Sequence, residues 1–81
     1  MVTVQRTQTG VRLETRMLKV MKALAEYLDM SLGDLIEGIV LHAFEGKSAF
    51  SKDSLQRIAD LKKIYALSLD SSHAHRLSEK V

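Results

Sequence analysis

Eighty-one residues carrying a formal net charge of +2 bound one small domain, short enough to be marginal on its own hydrophobic core. The chain has no Cys, which excludes disulfides and Cys-based zinc sites and leaves oligomerisation as the remaining route to a sufficient core. No stretch nears the roughly 18 apolar residues of a membrane span, and no apolar signal core opens the chain, so a soluble cytoplasmic protein without a membrane partner is expected.

The distribution of charge says more than its total. Residues 1–22 hold Arg6, Arg12, Arg16, Lys19 and Lys22 against Glu14 alone. Residues 23–46 hold Glu26, Asp29, Asp34, Glu37 and Glu45 with no Lys or Arg. Residues 47–81 turn basic again. A basic leading end is a candidate surface for a polyanion, and equally a solvated face with no partner.

Residues 1–7 are polar, lack periodicity beyond Val2 and Val4, and read as a flexible arm. From Gln8 the pattern alternates: Thr9, Val11 and Leu13 fall on one side, Gln8, Gly10 and Arg12 on the other. Period two predicts a strand with one buried face. Only one such segment is visible, and a lone strand must pair with something. The simplest partner is its own copy from a second subunit, antiparallel about a two-fold axis.

Thr15 is the predicted cap of a first helix running to Leu28 or Asp29. Its apolar stripe is Met17, Val20, Met21, Leu24, Ala25 and Leu28, at helical spacing. Asp29-Met30-Ser31 is a tight connector, and Ser31 with Asp34 three positions on starts a second helix. That helix runs to about Glu45, with Gly46 as its stop. It is apolar almost all round, through Leu32, Leu35, Ile36, Ile39, Val40, Leu41, Ala43 and Phe44. An 81-residue monomer has too little interior to surround such a helix, which again points to a partner subunit. Leu41 lies on the otherwise polar side, so something should cover it.

Beyond Gly46, Ser51 is the predicted cap of a third helix with Leu55, Ile58, Leu61 and Tyr65 along one stripe. A break follows near residues 68–72, and residues 71–79 suggest one more short helix around Leu77. Residues 47–81 therefore form a C-terminal helical extension. Its expected role is to cover Leu41 and the core, the alternative being a site for a protein partner.

A basic alternating strand, a helix, a tight turn and a very apolar helix within residues 8–46 resemble the ribbon-helix-helix family of DNA-binding proteins. Val11-Arg12-Leu13, Met17, Met21, Leu24-Ala25, Leu28, Asp29-Met30-Ser31 and Leu35-Ile36 carry the resemblance. It departs from the family at Asp29, where a Gly usually ends the first helix, and at Gly10, where a base-reading side chain often stands. The fold it implies is mostly α: one N-terminal strand pairs antiparallel across an intertwined homodimer, and the helices hold the ribbon. The dimer core is then Val11, Leu13, Met21, Leu24, Leu28, Leu35, Ile36, Ile39, Val40 and Phe44.

The resemblance implies double-stranded DNA as partner, with two dimers on adjacent half-sites. A two-stranded ribbon fits the major groove. Arg12 then meets guanine, Gln8 adenine, and Gly10 either weakens readout or lets the backbone approach. The alternative for Arg12 is a solvated charge that blocks edge aggregation. At the start of the second helix, beside Ser31, the backbone N–H groups of Leu32, Gly33 and Asp34 can hold a phosphate. Arg6, Arg16 and Lys47 are further phosphate candidates. The expected function is a sequence-specific transcriptional repressor. The alternatives are an antitoxin whose extension binds a toxin, and a dimerisation module that never touches DNA. His42, His73 and His75 do not make a metal cluster by spacing, no catalytic motif is visible, and no cofactor is expected.

Overall fold

Helices supply the regular structure of the computed structural model, which describes residues 1–80: α1 (Thr15–Tyr27), α2 (Leu32–Phe44) and α3 (Lys52–Ile64), followed by a single 3-10 turn at Ser71–His73. Val81, the last residue of the predicted extension, lies outside the described residues.

Each helix begins on a side-chain cap. Ser31 Oγ accepts from the Asp34 N–H at 3.1 Å, and Ser51 Oγ accepts from the Ser54 N–H at 3.2 Å, each satisfying an amide that the helix itself leaves unpaired. At α1 the cap is Glu14 rather than the predicted Thr15. Its two carboxylate oxygens accept from the N–H groups of Met17 (2.8 Å) and Arg16 (3.1 Å). A carboxylate serves two amides and sits at the positive end of the helix dipole, so Thr15 becomes the first helical residue. The two backbone bonds hold the Glu14 carboxyl below its ordinary range.

All three helices also end alike. After α1, Asp29 N–H donates to Glu26 O (3.1 Å) and Met30 N–H to Ala25 O (3.0 Å). After α2, Gly46 N–H donates to Ala43 O (3.0 Å) and Lys47 N–H to His42 O (2.9 Å). After α3, Ala66 N–H donates to Lys63 O (3.2 Å) and Leu67 N–H to Lys62 O (2.8 Å). This paired pattern requires a left-handed residue at the turn, and φ is 57° at Asp29, 68° at Gly46 and 54° at Ala66. The connector 29–31 therefore turns tightly without the expected Gly.

α1 is the central element, and α2 and α3 each pack against it. Val20, Leu24 and Ala25 of α1 and Leu35 of α2 are the buried hydrophobic residues. Met21, Leu28, Met30, Ile39, Phe50, Ile58 and Leu61 close around Leu24, Ala25 and Leu35. Arg57 of α3 also lies over the Tyr27 ring, 4.4 Å from its centroid, a cation–π contact that joins α3 to the end of α1.

Residues 8–13 do not form the predicted strand: among the described residues there is no strand, and residues 1–14 are irregular. The ribbon and the intertwined strand-paired architecture are thereby corrected to a three-helix fold. Alternation provides two faces but no hydrogen-bonding partner, and no second extended segment among the described residues supplies one. Gly10 contributes no side chain to either face and raises the entropy lost on ordering. The face expected to be buried is also open, since Val11 is 76% and Leu13 42% exposed.

Two readings of the C-terminal third are corrected as well. α3 packs on α1 and leaves Leu41 65% exposed, because its apolar stripe, through Ile58 and Leu61, is used on the core. The predicted short helix around Leu77 is instead the 3-10 turn Ser71–His73, with Leu77 beyond it and half exposed. Asp70 starts that turn: its carboxylate accepts from Ser72 N–H at 2.9 Å and Ser72 Oγ–H at 2.5 Å. The Ser72 hydroxyl is the main reason that the Asp70 carboxyl titrates below its ordinary range.

Candidate nucleic-acid interface

The residues read from sequence as DNA contacts divide into three places. Arg6, Gln8, Gly10 and Arg12 lie on the exposed N-terminal segment. Ser31, Leu32 and Gly33 form the start of α2, and Lys47 follows its end. Arg16 projects from the first turn of α1.

Their cationic groups are engaged within the chain. Arg6 forms a two-pronged bond to Glu37 of α2, Nε to Oε2 at 2.9 Å and Nη2 to Oε1 at 2.8 Å. The fork geometry matches guanidinium to carboxylate. Hydrogen bonding to Arg6 holds the Glu37 carboxyl below its ordinary range, and the same bond raises the Arg6 pKa. Arg12 donates from Nε (2.8 Å) and Nη2 (2.5 Å) to a single oxygen, Oε1 of Glu79. Arg16 Nη1 donates to the backbone carbonyl of Ala66 at 3.0 Å, which ties the start of α1 to the turn after α3. Lys47 Nζ lies 3.2 Å from Glu45 Oε1. The pairs at Arg6, Arg12 and Lys47 are solvent-exposed, and exposed pairs of this kind are weak.

Arg16 thus has a structural task, and the other three cations are held loosely enough to exchange partners. The acidic partners of Arg6 and Arg12 carry no local sequence signal. Glu37 is 31 residues from Arg6 and Glu79 is 67 residues from Arg12, so only the tertiary fold brings them together.

At the start of α2, Ser31 Oγ uses the Asp34 amide, while the N–H groups of Leu32 and Gly33 have no acceptor within the helix. A Cβ at Gly33 would meet only Ser31 Oγ, at 4.0 Å. Packing therefore does not require glycine there, and its small size keeps the amides approachable. Gly10 is equally open, with nothing within 4 Å of a Cβ built on it.

Comparison with protein-family models, with curated proteins and with solved structures gave no match. The functional reading accordingly rests on the residues themselves. Among the described residues no three His, Cys, Asp or Glu side chains gather as metal ligands. Among the described residues, too, no helix is long and apolar enough to cross a membrane.

The residues read as a dimer core also separate. Leu24 and Leu35 are buried in the single chain, and Met21, Leu28 and Ile39 pack beside them. Ile36 is half-buried, whereas Val40 is 38% and Phe44 82% exposed. With Leu41 they leave the C-terminal half of α2 as an apolar surface that this chain does not cover.

Proposed function

We propose that the protein is a homodimeric, cytoplasmic, sequence-specific DNA-binding protein acting as a transcriptional repressor. Two α2 surfaces meet in the dimer, and the N-terminal segment with the start of α2 meets the duplex. The observation that carries the reading is the N-terminal segment: it is basic, exposed over residues 1–13 and free of regular structure, and its Arg6 and Arg12 are held only by solvent-exposed ion pairs that a polyanion can replace. An exposed basic segment can follow a groove of the duplex. Arg12 and Gln8 have the donors that pair with guanine and adenine edges, Gly10 permits close backbone approach, and Arg6 and Lys47 suit phosphates. Ser31, Leu32 and Gly33 add a helix N-terminus, where backbone amides favour an anion.

A second reading, a dimerisation module without DNA, is favoured by the intrachain partners of Arg6, Arg12, Arg16 and Lys47. A toxin-binding role for the extension finds less support, because Ile58 and Leu61 of α3 are used in the core.

Titration of a labelled mixed-sequence duplex at about 50 mM and about 200 mM salt separates these readings. About four phosphate contacts per dimer correspond to a loss on the order of a hundredfold between the two conditions. On a selected cognate site, Arg12→Ala should cost about 1–3 kcal/mol, with little change on other sequences. Absence of binding at the lower salt favours the dimerisation module. An equal loss on all sequences removes the base-reading role of Arg12.

A further inference from the structure

The N-terminal segment and the C-terminal tail meet across a shallow recess of about 760 Å³. Arg12, Leu13 and Met17 line one side of it, and Leu77 and Glu79 line the other. The arginine read as a base contact is the one that Glu79 holds, with Nε and Nη2 converging on a single carboxylate oxygen. A carboxylate oxygen receiving the two N–H groups of a guanidinium fork occupies the place that a phosphate oxygen or a guanine edge takes in a nucleic-acid complex. Leu77 lines the recess with Leu13 and Met17, so the tail brings both an anionic and an apolar side chain to it. Residues 76–80, beyond the 3-10 turn, carry no regular structure, so they can leave without disturbing a helix.

We propose that the C-terminal residues 77–80 are an internal competitor for DNA: Glu79 occupies the anion seat at Arg12 and must be displaced before Arg12 meets the duplex. This rests on the DNA-binding reading. Both partners are largely exposed, 84% and 64% at the side chain, so the hold is weak. A polyanion that releases condensed counterions on binding outcompetes it. The tail thus lowers affinity by one factor on the sites that use Arg12, rather than blocking binding outright.

The test is a fluorescence titration of the 81-residue chain against the selected cognate duplex at low salt. Parent protein, Glu79→Gln and Glu26→Gln are compared. Glu26 is exposed on α1, three turns from the N-terminal segment, and its variant changes net charge by the same amount. Glu79→Gln should bind about two- to fivefold more tightly than the parent. Glu26→Gln should gain less, and Arg12→Gln should abolish the advantage of Glu79→Gln. Equal gains in the two glutamine variants, or an advantage that survives Arg12→Gln, overturn the competitor while leaving DNA binding intact. If neither the parent nor any variant binds the duplex, the DNA reading falls and the competitor falls with it.

Discussion

α1 and α2 are both 13 residues long and stand in opposite relation to the core. α1 is amphipathic: Val20, Leu24 and Ala25 are buried, while Lys19, Lys22 and Glu26 face water. α2 carries as many apolar side chains and fewer charged ones, only Asp34 and Glu37, yet Leu35 is its one buried residue, and Val40, Leu41 and Phe44 are exposed. Burial is therefore set by the number of faces that neighbours can cover, not by a helix's own hydrophobicity. In a chain of 81 residues α1 is covered from two sides and α2 from one. The excess apolar surface of α2 is then available to a second copy.

The largest effect should come from breaking the covered side. Leu24→Ala removes a side chain that is 3% exposed and should destabilise the fold by about 2–5 kcal/mol. Leu41→Ala, at 65% exposure, should cost the isolated subunit no more than about 0.5 kcal/mol. Urea unfolding at a protein concentration low enough to keep subunits apart measures both. A cost at Leu41 comparable to that at Leu24 would mean that α2 is covered after all.

The uncovered side is tested by association. Phe44→Asp places a charge on the most exposed large side chain of α2. Helical content should be retained by circular dichroism, while sedimentation should shift from dimer to monomer, since an unpaired charge in an apolar interface is strongly disfavoured. A dimer that persists with unchanged affinity would remove α2 from the interface.

The same contrast shows which features of the chain were legible in its sequence. The helices were readable because their signals are local: stripes at helical spacing, Ser31 and Ser51 as caps, and Gly46 as a stop. Glu14 was missed because a glutamate is not a frequent cap, and Thr15 beside it is one. Residues 8–13 misled because alternation specifies which side chains share a face and leaves open whether the backbone finds a partner. Leu41 was expected to be covered because its hydrophobicity is visible in the sequence, whereas the direction in which α3 docks depends on tertiary packing. At the candidate interface the basic residues were legible one by one. Their acidic partners Glu37 and Glu79 were not, since contacts between residues so far apart along the chain leave no periodic trace.

The smallest effect concerns how the helices stop. α1, α2 and α3 share one hydrogen-bonding pattern at their ends, but the left-handed residue differs: Asp29, Gly46 and Ala66. Glycine takes that conformation freely, Asp tolerates it through its short polar side chain, and Ala has neither advantage. At Ala66 the Cβ clash costs about 1–2 kcal/mol. Glycine would relieve it, while its greater freedom in the unfolded chain takes back about 0.4–1 kcal/mol. Ala66→Gly should therefore stabilise the protein by roughly 0.5–1 kcal/mol, a rise of roughly 2–8 °C in Tm for a domain of this size. The Arg16 bond survives the change because it is made to the backbone carbonyl. Asp29→Gly should gain less, since Asp already bears the conformation more easily. Thermal unfolding of the two variants side by side decides the matter. A larger gain at Asp29 than at Ala66, or a loss at Ala66, would show that side-chain contacts rather than backbone strain govern how these helices end.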